Sequence, residues 1–405
     1  MKEPLLYLCH RIPYPPNKGD KITTFNVLKF LNKHYDVYVG CFIDDPNDKQ
    51  YTDNVAKLCK ECFFVDLNPT LAKIKGLTAF GRGEPITLPY YRSSKMQSWV
   101  NQTIAEHSIT KAFIYSGCMA QYVLRPESPT LYKVMQFADI DSDKWRQYAC
   151  SSNGVMSKIY MREYQALEGY EKYVADKFEV SCFISDAEAS LFKEMVDDHI
   201  QPKIKTLSNG IDSEYFSPSA IANLNEGFSV QDDNYIVFTG AMDYRPNIET
   251  VTWFTHHVWS EVIKQCPDSK FYIVGSSPPK QVLELSSFSG VIVTGRVDDV
   301  RPYLAHAKAA VAPMQMARGI QNKILEAMAM ERPVLTSNRG IEGLEGCPNE
   351  NLYVTDSEQN MRAWVINKLE SPPLNATDSR VWLEQNYSWE AKLTPLLHYL
   401  GARGD

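Results

Sequence analysis

The sequence predicts an α/β protein with two domains, each a parallel β-sheet covered by helices on both faces. Apolar strand signals alternate with longer helical signals through most of the chain, which is typical of parallel sheets. The chain has 405 residues, more than one hydrophobic core usually supports. A polar, weakly patterned stretch at 219–233 interrupts the alternation. We therefore expect a domain boundary within 205–235, dividing the chain into 1–205 and 206–385.

Short apolar segments mark the strands, and amphipathic stretches mark the helices between them. In the first half the predicted strands are Leu5–Cys9, Asp36–Phe42, Glu61–Asp66, Ala112–Tyr115, Leu131–Phe137 and Cys182–Ser185. The predicted helices there are Ile22–Lys33, Met96–His107, Met119–Leu124 and a long one from about Ser157 to Phe178. In the second half the predicted strands are Tyr235–Thr239, Lys270–Val274, Gly290–Thr294, Ala309–Ala312 and Pro333–Ser337. A final amphipathic helix is predicted to follow a cap at Ser388.

Composition excludes several classes of protein. The chain is 44% hydrophobic and 22% charged, as ordinary globular proteins are. It has no apolar run of roughly 18 residues that could span a bilayer. No basic stripe of the nucleic-acid-binding kind is present, so we expect no nucleic-acid partner. Nine cysteines scattered mainly through apolar segments indicate reduced thiols and a cytoplasmic protein, and we interpret the Cys59 and Cys62 pair as structural.

Two features of the sequence are compatible with peripheral contact with a membrane. Residues 1–100 carry four more basic than acidic side chains, which suits an anionic lipid surface but equally fits chance variation. Residues 85–95 interleave apolar and basic residues and are predicted to form an exposed loop. Such a loop can touch membrane or acceptor, or have neither role.

Residues 318–336 are the most informative stretch for function. A glycine turn at Gly319 leads into a short helix with Lys323 and Glu326 three residues apart, and the helix stops at Arg332 before an apolar strand. Free backbone N–H groups and the positive end of the dipole make such a helix start an anion site. Lys323 can add a charge to a bound phosphate, and Glu326 can accept hydrogen bonds from a ribose diol. The stretch therefore predicts a site for a nucleotide diphosphate linked to a sugar.

Four segments, in order, resemble the retaining glycosyltransferases of family 4, which have the GT-B fold. They are the turn at His10–Lys21, the NGID-containing segment Leu207–Pro218, the segment Thr294–Leu304 and the 318–336 helix. Three further segments resemble the sugar transferases associated with bacterial exopolysaccharide and exosortase (PEP-CTERM) gene systems. These are Gly240–Asn247, Gly319–Ala329 and Asp139–Tyr148.

The resemblance implies two Rossmann-like domains facing each other across a cleft. The nucleotide sugar, linked to UDP or GDP, would bind domain 206–385, and a glycan or lipid-linked acceptor would bind domain 1–205. The last helix, about 386–405, would cross back to the first domain. The implied enzyme is hexosyltransferase-like, retains the configuration of the donor sugar, needs no metal, and acts at the cytoplasmic face of the inner membrane in exopolysaccharide or cell-surface polysaccharide biosynthesis.

The resemblance also assigns roles in catalysis and in donor binding. The predicted catalytic residues are Lys323, Asp139, Glu326 and Arg245. The predicted donor-binding residues are Gly319, Ile320, Arg318, Val297, Arg296 and Gly240. The family usually has a glutamate where this chain has Arg318, which suggests a donor contact with a carboxylate or phosphate rather than a plain hexose. The usual cation pair after the first strand of the domain is also absent, and only Arg245 stands near that place.

Each of these residues has a plainer interpretation. Lys323 and Glu326 can be surface residues of a helix. Arg245 can form an ordinary loop ion pair, and Arg296 can pair with Asp298 or Asp299 instead of reaching a phosphate. The backbone of Val297 would recognise the base.

On the acceptor side the predicted residues are Gly19, Asp20, His10 and Asp141. Glycine at 19 lets the backbone approach a ligand closely. Asp139, with Asp141 as the alternative, would orient the acceptor hydroxyl or act as a weak base, although either can simply cap the next helix. His10 can be a packed, hydrogen-bonded histidine instead of a catalyst.

Two other functions remain open. The first is a nucleotide-sugar epimerase or hydrolase with the same fold. The second is a non-catalytic protein that binds nucleotide sugars, which Arg318 and the missing cation pair would favour.

Overall fold

The computed structural model describes residues 2–124, 130–221, 230, 233–316, 320–342, 344, 346–347 and 351–401. The chain divides into two compact units. Unit 1 is Met1–Asn209 with Lys392–Asp405, and unit 2 is Gly210–Ala391. None of the helices in the described ranges has the length and apolarity that crossing a membrane requires. Most of the polar stretch at 219–233 lies outside the described residues, and Pro218–Ile221 forms a 3-10 turn.

Unit 1 is built on seven parallel strands. They are β1 (Glu3–Cys9), β2 (Tyr35–Ile43), β3 (Glu61–Asp66), β4 (Lys111–Tyr115), β5 (Tyr132–Ala138), β6 (Val180–Phe183) and β7 (Ile204–Thr206). Their order in the sheet is β3-β2-β1-β4-β5-β6-β7. The helices are α1 (Gly19–His34), α2 (Thr52–Ala56), α3 (Pro69–Gly76), α4 (Ala79–Arg82), α5 (Thr87–Tyr90), α6 (Ser94–Glu106), α7 (Asp141–Ser151), α8 (Gly154–Lys177) and α9 (Asp186–Met195).

Unit 2 is built on six parallel strands. They are β8 (Tyr235–Thr239), β9 (Lys270–Val274), β10 (Val291–Gly295), β11 (Ala309–Ala312), β12 (Val334–Thr336) and β13 (Leu352–Val354), in the order β10-β9-β8-β11-β12-β13. The helices are α10 (Arg245–Phe254), α11 (Ser260–Gln265), α12 (Lys280–Leu283), α13 (Arg301–Ala305), α14 (Asn322–Ala329), α15 (Glu358–Glu370), α16 (Thr377–Tyr387) and α17 (Trp389–Tyr399). A π-helical segment, Thr255–Trp259, joins α10 to α11. Helix α17 begins in unit 2, and its residues from Lys392 onward belong to unit 1.

Both sheets are covered on both faces, which explains their continuous apolar strands. In β8, Tyr235 and Val237 pack into one core while Ile236 and Phe238 pack into another. The side chains alternate because successive residues of a strand point to opposite faces. In each sheet the first strand lies inside the sheet, and the chain adds strands first on one side of it and then on the other. This change of side falls between β1 and β4 in unit 1 and between β8 and β11 in unit 2. Ligands of open α/β sheets bind outside the carboxyl ends of the strands near such a change of side.

The structure corrects two sequence predictions in unit 1. The segment predicted as a helix at Met119–Leu124 is a 3-10 turn, Gly117–Tyr122. The segment 85–95 is not an exposed loop, because it contains α5 and buries Leu88 and Tyr91. Glu163 of α8 accepts a hydrogen bond from the Ile86 amide at 2.7 Å and holds this segment against the unit.

Candidate functional site

Unit 2 contains a cavity of about 590 Å³ at the carboxyl ends of its first strands. The lining residues are Thr239, Gly240, Val274, Gly275, Ser276, Ser277, Arg296, Val297, Val300 and Glu326. They follow β8, β9 and β10 in turn, apart from Glu326, which projects from α14. The cavity therefore lies where the strand order of an open α/β sheet places a ligand.

Two glycines let the ends of β8 and β9 approach each other. A Cβ atom on Gly275 would lie only 1.7 Å from the Gly240 carbonyl oxygen. Gly240 has φ of 154°, a conformation that other residues rarely adopt. The Met242 amide donates to the Ser276 carbonyl at 2.8 Å, so the two loops continue side by side beyond the sheet. The floor of the cavity is thus backbone rather than side chain.

Helix α14 brings Glu326 to this cavity. The helix buries Ile324, Leu325 and Met328 in the core of unit 2, which fixes the direction in which Glu326 points. Burial raises the pKa of Glu326 to about 7, against the opposing influence of Lys323. Glu326 is therefore not the solvated helix-surface carboxylate of the plainer interpretation. A carboxylate in this place can accept hydrogen bonds from hydroxyl groups of a ligand.

The side chain of Lys323 lies next to Gly240 and is not among the residues that line the cavity. Its Nζ donates to Asn247 Oδ1 at 2.9 Å and lies 5.2 Å from the centre of the Phe238 ring. Its Cε would be 3.3 Å from a Cβ on Gly240. Burial lowers the pKa of Lys323 to about 8, and the carboxylate of Glu326 acts in the opposite direction. The alternative of a solvated surface lysine is therefore wrong, while phosphate binding by Lys323 stays a prediction.

Arg296 and Val297 line the cavity after β10. The suggested pairing of Arg296 with Asp299 does not occur, because Arg301 takes that carboxylate with Nη2 at 2.6 Å from Oδ2. Arg301 also lies 3.8 Å from the centre of the Tyr215 ring. Within the described parts of the chain, the guanidinium of Arg296 forms no hydrogen bond or ion pair. It is thus a cation at the cavity wall without a counterion among the residues that the structure describes.

Of the remaining donor-side residues, the structure describes Arg245 and Ile320. Arg245 is the first residue of α10, its side chain is 80% exposed, and its Nε lies 2.7 Å from Glu249 Oε1. It is not among the residues that line the cavity. Ile320 is half-buried and packs against the core of unit 2. Arg318 and Gly319 lie outside the described residues.

In unit 1, the turn after β1 forms a charged cluster. Gly19 begins α1 and has open space where a Cβ would lie. Asp20 Oδ2 lies 3.3 Å from His10 Nε2 and 3.0 Å from Arg11 Nη1. These contacts with His10 and Arg11 hold the pKa of Asp20 well below its usual range.

His10 has one ring nitrogen in this cluster and one outside it. Its ring stacks on Tyr115 with centroids 6.0 Å apart. Its Nδ1 is buried and has no hydrogen-bond partner among the described residues. His10 is therefore packed and hydrogen-bonded through Nε2, as its plainer interpretation requires, and a role in catalysis stays a prediction.

Asp139 and Asp141 follow β5 and share one lysine. Lys144 Nζ lies 2.9 Å from Asp139 and 3.1 Å from Asp141. Although partial burial opposes it, the carboxylates of Asp141 and Asp139 raise the pKa of Lys144. Neither aspartate caps α7, because Ile140 occupies the N-cap position and no side-chain cap bond forms there. The capping alternative is therefore wrong for both residues.

Two glutamates that the sequence did not reveal hold this turn in place. Glu188 accepts a hydrogen bond from the Ile140 amide at 2.8 Å. Glu171 accepts one from the Ser142 amide at 3.1 Å and a shorter one from the Ser142 hydroxyl. Both come from later helices, so no local pattern pointed to them. By contrast, the cavity residues Ser276 and Ser277 lie just beyond the end of β9, a correctly predicted strand. Their position after a strand could have indicated that they line the site.

Comparisons with known proteins agree with this architecture. Residues 233–369 match the family model for glycosyl transferases group 1. An uncharacterized 44.6 kDa protein in the cps region of Klebsiella pneumoniae is 22% identical over 374 residues, which cover 88% of each chain. The matched family segment contains every lining residue of the cavity.

Solved structures match over the whole chain. Anabaena HepE in complex with UDP has a TM-score of 0.59 at 15% identity, covering 100% of both chains, and was also solved with UDP-glucose. Sucrose-phosphate synthase from Thermosynechococcus elongatus has a TM-score of 0.60 at 16% identity, covering 98% of both chains. The chain thus has the fold of the GT-B glycosyltransferases, with two Rossmann-like units of parallel sheet, and the segment that matches the model for glycosyl transferases group 1 lies in the second of them.

Proposed function

We propose that the protein is a glycosyltransferase that transfers a sugar from a nucleoside diphosphate donor bound in the unit 2 cavity. The observation that carries the proposal is the cavity itself. It combines a guanidinium that has no counterion within the described parts of the chain (Arg296), a half-neutral carboxyl group (Glu326) and a nearby buried ammonium group (Lys323). All three lie in the segment that matches the glycosyltransferase family model. The presence of UDP in the structure of Anabaena HepE supports a uridine or related nucleotide donor.

The proposed chemistry assigns one task to each group. Breaking the bond between sugar and diphosphate develops negative charge on the leaving group, and fixed cations stabilise that charge. Arg296, Lys323 and the N-terminal amides of α14 would supply this stabilisation without a metal. Glu326 would accept hydrogen bonds from the ribose, and the backbone at Val297 would contact the base. We further propose that the transfer retains the configuration of the sugar.

We assign the acceptor to unit 1. The exposed carboxylates of Asp139 and Asp141 and the cluster of His10 and Asp20 are the polar groups available to orient a hydroxyl there. The relative in a cps region supports a role in cell-surface polysaccharide synthesis, with a glycan or lipid-linked acceptor. We expect the reaction in the cytoplasm, at the inner face of the membrane if the acceptor is carried on a lipid.

A thermal-shift screen against UDP-, GDP-, ADP- and dTDP-sugars tests donor binding. The correct donor should raise the Tm because it binds only the folded protein. With that donor and an acceptor, Lys323→Ala should lower kcat roughly 10²–10³-fold by removing one stabilising donor, and Glu326→Ala should weaken donor binding. Lys280→Ala is the matched control, since its side chain is 91% exposed and lies outside the cavity.

Three results would contradict the proposal. Equal nucleotide release by wild type, Lys323→Ala and Glu326→Ala would exclude the cavity as the donor site. Donor turnover that needs no acceptor would indicate a hydrolase or epimerase. Binding of a nucleotide sugar with no turnover across acceptors would indicate a non-catalytic binding protein.

A further inference from the structure

Helices α3 and α4 in unit 1 are built with their large apolar residues outward. The small residues Ala72 and Ala79 are buried. Gly76 is buried too, and a Cβ there would lie 2.9 Å from Ile86 Cγ2. The large residues are exposed: Leu71 by 58%, Ile74 by 59%, Leu77 by 64% and Phe80 by 44%. An amphipathic helix of a globular protein normally buries such residues, so this face has apolar surface that unit 1 does not cover.

The four large residues lie along a nearly continuous helical run. Leu77 and Thr78, between α3 and α4, both have right-handed helical backbone angles. Around this junction the hydrogen bonds join residues three apart, with the Leu77 amide donating to Ile74 and the Phe80 amide donating to Leu77. Residues three apart lie on the same side of such a turn. Ile74, Leu77 and Phe80 therefore form one ridge.

Basic residues accompany the ridge. Lys73, Lys75 and Arg82 are all exposed, and the sequence from 67 to 83 contains no aspartate or glutamate. Glu84, just beyond this stretch, pairs with Arg92, whose Nη2 lies 2.7 Å from Oε2, and more distantly with Arg82, whose Nη1 lies 3.7 Å from Oε1. We call the exposed residues Leu71, Ile74, Leu77 and Phe80 with Lys73, Lys75 and Arg82 the basic apolar face.

The face is anchored to unit 1. Arg162 of α8 donates to the Ala79 carbonyl at 2.7 Å and to the Glu84 carbonyl at 2.8 Å. Its guanidinium lies 4.9 Å from the centre of the Phe80 ring. Arg162 is also paired at 2.8 Å with Glu163, which is fully buried. The exposed ridge is thus held by buried polar contacts and presented as a defined surface.

We propose that the basic apolar face docks unit 1 on an anionic lipid bilayer. A helix that presents large apolar side chains between basic ones suits the boundary between headgroups and acyl chains. There the apolar side chains leave water, and each lysine or arginine gains electrostatic attraction to anionic lipid. An exposed apolar patch flanked by charge marks an interaction surface in general. The exposed Lys73 and Lys75, which form no ion pair among the described residues, select an anionic partner. The inference does not depend on the proposed transferase activity.

Binding of the full chain to vesicles tests this inference. Vesicles of phosphatidylcholine with phosphatidylglycerol should bind the wild type, and vesicles of phosphatidylcholine alone should bind it much less. Ile74→Ser combined with Leu77→Ser should reduce the partition coefficient about ten-fold or more, because two apolar side chains no longer leave water. Lys73→Gln combined with Lys75→Gln should reduce it about thirty-fold at low salt.

Matched controls use exposed residues away from the face. Leu374→Ser and Val381→Ser remove side chains that are 45% and 47% exposed in unit 2. Lys57→Gln with Lys60→Gln removes two exposed charges of unit 1. Both control pairs should bind vesicles as the wild type does, and circular dichroism should show all variants folded.

Three outcomes would overturn the inference. In the first, the wild type binds neither kind of vesicle. In the second, the two serine substitutions leave vesicle binding unchanged. In the third outcome the wild type is a dimer by light scattering, the serine variant is a monomer, and neither binds vesicles. That result would assign the face to a second copy of the chain.

Discussion

Lys323 and Glu326 are three residues apart on α14, and burial shifts both towards their neutral forms. The pKa of the lysine falls to about 8 and that of the glutamate rises to about 7. A buried charge without a full counterion is costly, so the ammonium group gains most when an anion arrives beside it. Sequence reasoning named both residues but could not foresee these shifts, because they arise from burial in the folded unit. Around Lys323 the neighbours are Phe238, Asn247 and Gly240, more than 70 residues earlier in the chain.

The pKa of Lys323 predicts how donor binding depends on pH. Below about pH 8 the lysine is already protonated and its contribution to affinity is constant. Above that pH, binding of the diphosphate must take up a proton, so affinity should fall by up to about ten-fold per pH unit. Isothermal titration calorimetry of UDP binding, in buffers of different ionisation enthalpy, measures both the affinity and the proton uptake.

Lys323→Arg is the control for this dependence. An arginine stays charged at all these pH values, so the decline above pH 8 should disappear even if the affinity itself is lower. An identical decline in wild type and Lys323→Arg would show that another group is responsible.

Most strands could be predicted from the sequence, whereas elements whose position depends on distant contacts were missed. Strands β3, β8, β9 and β11 were predicted with their observed bounds, because each contains a short continuous apolar run, as strands of parallel sheets do. Strands β7 and β13, each at one edge of its sheet, were missed, and so were several helices of unit 1, α7 among them. The first turn of α7 is Asp141, Ser142 and Asp143, with no local cap, and it is held by Glu171 and Glu188 from distant helices.

Glu171 should make stability depend on pH. Burial raises its pKa from 4.5 to about 8, and hydrogen bonds from Ser142 limit the rise. Between those pH values the folded state holds a proton that the unfolded state has lost. The free energy of unfolding should therefore fall as the pH rises, by at most about 1.4 kcal/mol per pH unit, and the stabilisation should be gone above about pH 8.

Urea denaturation between pH 7 and 8 isolates this contribution from those of Glu326 and Lys323. Glu326, with a pKa of about 7, affects stability mainly below this range, and Lys323, with a pKa of about 8, mainly above it. Glu171→Gln does not titrate, so its free energy of unfolding should change less with pH than that of the wild type. Glu194→Gln, an exposed change on α9, should keep the wild-type slope. A wild-type slope in Glu171→Gln would show that this carboxyl group does not control the dependence.

The junction of β8 and β9 predicts an intolerant glycine. In Gly275→Ala the new methyl group would collide with the Gly240 carbonyl, so the strand ends must separate at a cost of roughly 3 kcal/mol or more. Gly169→Ala in α8 meets no atom within 4 Å and should gain up to about 1 kcal/mol from helix propensity. Denaturant midpoints of the two variants measure the contrast, and equal stability would refute the close approach of the two loops.

For the whole molecule, the distribution of net charge would have predicted that an anionic donor avoids the second half of the chain. Residues 206–405 carry eight more acidic than basic side chains, yet the cavity proposed for an anionic donor lies there. Local geometry outweighs net charge, because Arg296 and Lys323 are within or beside the cavity while the acidic residues lie mostly on the surface. The family resemblance and the strand pattern named Gly240, Arg296, Val297 and Glu326, which all line the cavity, and the binding of a donor there stays a prediction. They could not show that Arg245 points into solvent with its own counterion.

Hydrogen exchange on the full chain can locate the donor within the molecule. Saturating UDP should slow exchange in peptides that cover 239–242, 274–277 and 295–300, together with the start of α14, because a bound ligand suppresses local opening of the loops it contacts. Peptides from β13 and α15 serve as internal references, since these elements contribute no residue to the cavity lining. Lys323→Ala at the same UDP concentration should lose most of the protection. If protection appears only within 1–209 and at none of the three strand ends, the nucleotide binds unit 1, and the assignment of the unit 2 cavity is wrong.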